Sequence, residues 1–352
     1  MRIAAVGTAF PPHYYDQDTL FAALREHWSE RHFNLERLER LHRAVLVGGR
    51  HLALPMEAYP ELGGFGDANN AWIRVALEVG GDAMTSALEL AGIATDAVDT
   101  LIFTSVTGIA APSLDARLVN RLGLSPHIKR LPLFGLGCVA GAAGIARAAD
   151  CVRADPDGVA VLLSVELCSL TLQREDLSIP NLISSGLFGD GAAAAVVVGN
   201  DHPATGPQIV ATRSVFYPDT EGVMGWDISE RGFSIVLTAE VPDMVRTHLR
   251  GDIDAFLGDH GLTRADITCW ISHPGGPKVL EAMEEALELP ADALERAWRT
   301  LREKGNLSST SVLLVLAEVL DDPPPPGSWG LMTAMGPGFC SELVLLRWDG
   351  EI

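Results

Sequence analysis

The chain has 352 residues and a formal net charge of −20, an acidic balance that disfavours a nucleic-acid partner, whose phosphates need a basic face. It is 47% hydrophobic with a mean hydropathy of +0.19, which fits a globular protein of two fused or closely packed domains. Its apolar runs are too short for a membrane span, no secretory pattern follows Met1, and five scattered cysteines without a C-x-x-C pair fit neither a disulfide framework nor a zinc site. A cytoplasmic chain with no membrane, nucleic acid or metal is expected, although a local basic mouth for an anionic cofactor stays compatible with the overall charge.

In chain order, Ile3-Ala4-Ala5-Val6 reads as a first strand and Pro11-Pro12 ends it. Residues 17–43 are charged and carry Leu20, Leu24, Leu35, Leu38 and Leu41 at helical spacing, as surface helices do. A Gly/Pro-rich loop is expected over residues 57–68, helices over about 70–91 with Gly92 as the stop, and a strand over 98–105. Another helix is expected over 113–122. An apolar run then enters Gly135-Leu136-Gly137-Cys138, and a helix made almost wholly of Ala, Gly, Ile and Val follows to about residue 152. A helix apolar on every side belongs in a core. A cysteine at its start meets the positive end of the helix dipole, which is expected to favour thiolate over thiol. Taken alone, Cys138 reads as a buried structural cysteine, the ordinary state of a free thiol. Residues 158–166 form a continuous apolar strand of the kind buried on both faces. Phe188-Gly189-Asp190-Gly191 opens a further Ala/Val strand, and the four prolines from Pro323 form a stiff surface link.

The second half repeats this plan. "ALELAGIATDAVDTLIFTSVTG" and "FLGDHGLTRADITCWISHPGG" are both helix, glycine, short polar turn, strand and glycine. Gly137-Cys138 with its helix is matched by Gly305-Asn306 with the helix over 307–320; "GVAVLLSVEL" is matched by "GSWGLMTAMGPG", and "GAAAAVVVG" by "SELVLLRW". Two α/β units in tandem, residues 1–203 and 204–352, are therefore predicted. The duplication also locates the chemistry. Cys138 and Asn306 start two equivalent central helices, and His273 ends a strand equivalent to the Thr107 region. Alone, His273 reads as a hydrogen-bonded core histidine and Asn306 as a helix N-cap. If a pseudo-twofold relates the halves, both helix starts point at one place and His273 joins them, as cysteine-nucleophile catalysis requires.

The motifs Gly137-Cys138, Phe188-Gly189-Asp190-Gly191-Ala192-Ala193, His273-Pro274-Gly275-Gly276, Gly305-Asn306-Leu307-Ser308-Ser309 and Gly336-Pro337-Gly338 stand in order along the chain. On them the whole chain resembles the thiolase superfamily and, within it, the chalcone synthase-like type III polyketide synthases. The resemblance implies a thiolase fold, two α/β halves layered αβαβα, in a homodimeric acyltransferase that uses acyl-CoA and malonyl-CoA and no further cofactor. It implies that Cys138 carries the acyl group, and that His273 stabilises the thiolate and later an oxyanion. Asn306 is the second donor to that oxygen, a role typically worth ~3 kcal/mol. Both would also orient malonyl-CoA for decarboxylation. Phe188 matches a gatekeeper between CoA tunnel and cavity; a second gatekeeper is Phe233 or Ile235. Gly336-Pro337-Gly338 is expected as a tight turn in the cavity wall, with Glu166, Cys168, Thr171, Val106, Trp226 and Ser308 lining it. Val106 and Cys168 stand where the plant enzymes commonly have hydroxyls and Trp226 where they have a small residue, which points to an aliphatic rather than a flavonoid-type starter. Ala111 replaces a larger side chain that reaches the partner subunit in the plant enzymes. Arg43 and Arg50 are candidates for the CoA phosphates. The expected reaction is iterative decarboxylative condensation and cyclisation to a pyrone, resorcinol or phloroglucinol. The rivals are a ketoacyl-synthase III-like single condensation from an acyl carrier protein and a non-catalytic acyl-binding relative.

Overall fold

The computed structural model describes residues 1–29 and 34–349. Its strands are β1 (Arg2–Ala9), β2 (His13–Asp16), β3 (Gly49–Leu52), β4 (Thr100–Thr104), β5 (Lys129–Leu133), β6 (Val159–Leu167), β7 (Asp190–Val198), β8 (Gln208–Phe216), β9 (Met224–Ser229), β10 (Gly232–Leu237), β11 (Ile267–Ser272), β12 (Trp329–Gly336) and β13 (Cys340–Arg347). Its α-helices are α1 (Gln17–Trp28), α2 (Leu35–Ala44), α3 (Phe65–Ala91), α4 (Leu114–Leu122), α5 (Ala140–Arg153), α6 (Ile179–Leu187), α7 (Val241–Met244), α8 (Arg250–Gly258), α9 (Pro277–Leu287), α10 (Glu295–Lys304) and α11 (Ser311–Asp321). The helical stretch predicted over 17–43 is thus two helices, and its residues 30–33 lie outside the described residues. The loop expected over 57–68 contains a 3₁₀ turn, Met56–Glu61, and the first residues of α3.

The repeat is written in the strand pairing. In the first half β4 runs parallel to β6, β6 antiparallel to β7, and β7 antiparallel to β1. In the second half β11 runs parallel to β12, β12 antiparallel to β13, and β13 antiparallel to β8. The two sets join edge to edge at one residue pair, Arg2 with Gln208, so hydrogen bonding runs through a nine-stranded order β11-β12-β13-β8-β1-β7-β6-β4-β5. Every residue of β6 and β7 is buried, because helices cover both faces of these central strands. Helix α3 packs on β1, β6 and β7, while α5 and α11 lie between the halves and touch strands of both. Polar side chains of α5 do surface at Arg147, Asp150 and Arg153, so that helix is not apolar all round. Gly141 on α5 shows how closely the halves approach: a Cβ there would stand 2.3 Å from the Ser309 carbonyl oxygen. Only a glycine lets the start of α5 cross the turn Ser308–Thr310 before α11 at that distance.

Candidate active site

Cys138 is held by a strained entry to α5. Gly137 has φ +55°, and the short 3₁₀ turn Gly137–Val139 follows it into the helix. A Cβ on Gly137 would lie 2.7 Å from Pro337 Cδ, so the Gly336-Pro337-Gly338 turn packs directly against the cysteine's turn. The Cys138 thiol is buried, with Ser308 Oγ 3.6 Å from its sulfur. Asn306 follows Gly305, whose N–H closes α10 on the Leu301 carbonyl. Its backbone is locked to the end of α6: Asn306 N–H donates to the Leu187 carbonyl at 2.9 Å, and Gly189 N–H donates to the Asn306 carbonyl at 3.0 Å. Its carboxamide is oriented as tightly. Oδ1 accepts from the Ser308 N–H at 2.8 Å and Nδ2 donates to the Gly275 carbonyl at 3.0 Å, which leaves one amide proton for another acceptor. His273 lies just past β11, its N–H bonded to the Thr333 carbonyl at 2.9 Å. The ring is buried and neither Nδ1 nor Nε2 has a partner. Cys138, His273 and Asn306 line one cavity of about 440 Å³, so three residues from distant segments share one space.

The electrostatics correct the expectation of a resting thiolate. Burial pushes the Cys138 thiol up to about 12, against the pull of Ser308 and Asn306, and the nearby Glu166 carboxyl adds to the rise. Burial pulls His273 down to about 4. Desolvation opposes the helix dipole and favours the uncharged forms, a thiol at Cys138 and a neutral imidazole at His273. Such a histidine is a proton acceptor rather than a standing cation. Moving the proton from sulfur to imidazole creates both charges together, which costs less in a dry site than charging either alone.

The site and fold have their counterpart in two family descriptions. The model for the N-terminal domain of chalcone and stilbene synthases matches residues 1–202, and that for the C-terminal domain matches residues 208–348. The chain belongs to the chalcone and stilbene synthase family. It is a type III polyketide synthase of the thiolase fold, an acyltransferase. The 1,3,6,8-tetrahydroxynaphthalene synthase of Streptomyces peucetius subsp. caesius is 53% identical over 350 residues, 98% of this chain and 93% of that protein. The phloroglucinol synthase of Pseudomonas fluorescens is 32% identical over 344 residues, 96% of this chain and 97% of that one. The crystal structure of the tetrahydroxynaphthalene synthase from Streptomyces coelicolor A3(2), a bacterial type III polyketide synthase, superposes with a TM-score of 0.95 over all of both chains at 32% identity. The single-condensation and non-catalytic readings are thereby set aside.

Within the synthase the other expected residues fall into three places. Val106, Phe188, Trp226, Ser308 and Pro337 line the catalytic cavity. Ile235 rather than Phe233 lines it beside Phe188; Phe233 is packed among Phe65, Phe134 and Trp226. Cys168 and Thr171 are on the wall of a second, neighbouring cavity. Glu166 lies behind the wall. Its oxygens accept from Ser309 Oγ at 2.5 Å, Thr107 Oγ1 at 3.0 Å and the Val106 N–H at 3.1 Å, so it braces the loop after β4 against the turn Ser308–Thr310 that leads into α11. Gly336 likewise backs the cysteine turn, since a Cβ there would lie 2.6 Å from the Val139 nitrogen; Gly338 is packed against Phe216 and Cys340. Arg50 is a correction. It is 3% exposed and donates to the carbonyls of Ser185 and Gly186 and to Gln17 Oε1, so a buried guanidinium that tethers α6 cannot reach a phosphate in solvent. Arg43 is exposed and paired with Glu39 and Asp18. Lys278, directly after the His-Pro-Gly-Gly-Pro run, is an exposed cation on the cavity wall that sequence reasoning passed over. Its place beside that motif was the available signal.

Among the described residues no helix is long and apolar enough to cross a membrane, and no group of three or more His, Cys, Asp or Glu side chains could hold a metal ion.

Proposed function

We propose that this synthase loads an acyl group from CoA onto Cys138 and extends it repeatedly with malonyl-CoA. The observation that carries the reading is the convergence of Cys138, the unpartnered His273 ring and the oriented Asn306 amide on one largely apolar cavity. His273 takes the thiol proton as the sulfur attacks the thioester, and returns it to the CoA sulfur, which leaves as the carbon–sulfur bond to CoA breaks. The His273 ring and the free Asn306 proton then hold the oxyanion, and later the enolate oxygen of malonyl-CoA. Loss of CO₂ leaves its electron pair on the enolate. The new C–C bond forms at the acyl carbon as its bond to sulfur breaks. No oxidant, metal or organic cofactor enters this balance.

Lys278 at the cavity rim and Arg43 on α2 are the CoA-facing cations. Arg37 and Arg40 join them, because they share a helix face with Leu41 and Ala44, which line the cavity. A second copy of the chain is expected on β5, an edge strand largely exposed and flanked by exposed Ile109 and Phe134. The cytoplasm, where CoA thioesters are made, is the matching compartment.

Similarity to a tetrahydroxynaphthalene synthase at 53% identity favours malonyl-CoA as both starter and extender and a fused bicyclic phenol as product. The apolar wall of Val106, Trp226 and Ile235 favours a second reading, an aliphatic starter. Mass spectrometry of products from malonyl-CoA alone, and with a panel of acyl-CoA starters, separates the two. Cys138→Ala is expected to abolish every product and the acyl-enzyme adduct while the thermal unfolding temperature stays near wild type; unchanged turnover would eliminate the covalent mechanism.

A further inference from the structure

The connection between β8 and β9 is clasped to the turn that packs on Cys138. After Phe216 the chain turns through residues 217–223, with Asp219 at φ +61°. Thr220 closes this turn: its Oγ1 donates to the Tyr217 carbonyl at 2.6 Å and accepts from the Phe339 N–H at 2.6 Å. Tyr217 N–H in turn donates to the Phe339 carbonyl at 3.0 Å. Both backbone polar groups of Phe339 are thus held by one turn, and the Thr220 hydroxyl makes one of those two bonds. The turn is itself anchored. Tyr217 is buried, its ring stacks on Phe339 and lies 4.5 Å from the His248 ring, and its hydroxyl donates to Asp252 and meets Ser341 Oγ at 3.1 Å.

Phe339 follows Gly336-Pro337-Gly338 directly and is fully buried on the wall of the catalytic cavity. Pro337 lines the same wall, and its ring is the one that a Cβ on Gly137 would meet at 2.7 Å. The linkage therefore runs from Thr220 through Phe339 and Pro337 to Gly137 and the cysteine. We propose that Thr220 is a positioning residue: its hydroxyl fixes the 336–339 turn and so sets where the Cys138 sulfur stands relative to His273 and Asn306. This rests on the reading of Cys138 as acyl carrier. A valine at position 220 would fill the same space but leave the Phe339 N–H and the Tyr217 carbonyl without the hydroxyl, and the turn would shift to find other partners. A misplacement of about 1 Å at a reacting atom costs roughly a hundredfold in rate, even when its origin is remote from the chemistry. Serine keeps the hydroxyl and drops only a methyl. A positioning role makes serine the better replacement, whereas a packing role would favour valine.

The test uses the full chain with acetyl-CoA and malonyl-CoA, at a temperature where circular dichroism shows each variant folded. The readouts are kcat, the KM for malonyl-CoA and the rate of Cys138 alkylation by iodoacetamide. Thr220→Val is expected to lower kcat about tenfold or more with KM within about twofold of wild type, and to slow alkylation several-fold. Thr220→Ser is expected to stay within about threefold of wild type in all three. Thr263→Val removes a hydroxyl that bonds Asp266 in the exposed turn before β11, away from the catalytic wall, and is expected to leave them unchanged. A Thr220→Val kcat close to wild type, a loss carried by KM alone, or a serine variant no better than the valine one overturns the proposal. An equal loss in Thr263→Val also overturns it, by tracing the effect to general destabilisation. Should Thr220→Val not fold, Thr220→Ala is compared with Thr220→Ser in the same way. Wild-type product formation that survives complete alkylation of Cys138 would instead overturn the covalent reading, so the two failures are told apart.

Discussion

Replacing Glu166 with glutamine removes one buried titrating group while keeping its shape. The Glu166 carboxyl is fully buried, and desolvation lifts it from 4.5 to about 7 in spite of hydrogen bonds from Ser309, the Val106 N–H, Thr107 and Ser105. Below pH 4.5 the carboxyl is protonated in folded and unfolded chains alike, and the group leaves stability unchanged. Between 4.5 and about 7 the unfolded chain ionises while the folded one keeps its proton, so stability falls as pH rises. At ~1.4 kcal/mol per pH unit, the interval from 4.5 to about 7 amounts to about 3 kcal/mol, all of it lost by pH 8. Glutamine carries no such penalty, and its amide oxygen can still accept from the Val106 N–H and Thr107 Oγ1. Urea unfolding at fixed protein concentration, from about pH 5 to 8, is expected to show Glu166→Gln gaining on wild type by roughly 2–3 kcal/mol as pH rises. The same substitution removes a negative charge that raises Cys138, so the pH profile of thiol alkylation should move down. Parallel stability curves for the two proteins would refute the assignment of a raised pKa to this carboxyl.

His273→Ala is expected to slow iodoacetamide alkylation of Cys138 at neutral pH by about tenfold or more and to displace its profile upward, since a thiol pushed up to about 12 loses its acceptor. A rate unchanged from wild type would show that the imidazole does not take the thiol proton. Lys278→Ala should raise the KM for malonyl-CoA several-fold with little change in kcat, an effect that shrinks as salt is added. Arg50→Ala should instead cost about 3 kcal/mol of stability, because the Ser185 and Gly186 carbonyls lose their buried donor, with KM for malonyl-CoA unmoved. Gly137→Ala should cost about 1–3 kcal/mol and most of the turnover, and Pro337→Ala should restore part of both by withdrawing the ring that a Cβ would meet.

The convergence of Cys138, His273 and Asn306 on one cavity was legible because duplication does what alignment otherwise would. Cys138 and Asn306 each begin a helix after a glycine, and His273 follows a strand that has a twin in the first half. The protonation state was not legible, since the same Gly-Cys-helix string gives a thiolate in a wet site and a thiol in a dry one. Arg50 was misplaced for a related reason. A cation between Gly49 and His51 looks alike whether it meets solvent or the carbonyls of residues 185 and 186, and only the docking of α6 decides. Helix α6 divides the catalytic cavity from the second one, a role equally hidden. Its sequence, IPNLISSGL, is short and carries apolar side chains on one flank and small polar ones on another, a pattern that fits any surface helix. Glu166 was expected on the wall from the family resemblance, but three hydroxyls and a backbone N–H from other segments draw its carboxyl behind it.

The backbone bridge between Phe188 and Asn306 has a practical consequence for anyone reshaping this enzyme. A mutation that shifts the main chain at position 188 drags the amide proposed to hold the oxyanion, so on that proposal gains in product range from that side arrive with a slower catalyst. The β9–β10 ribbon carries no such linkage, and libraries built there can vary the mould while leaving the machinery in place.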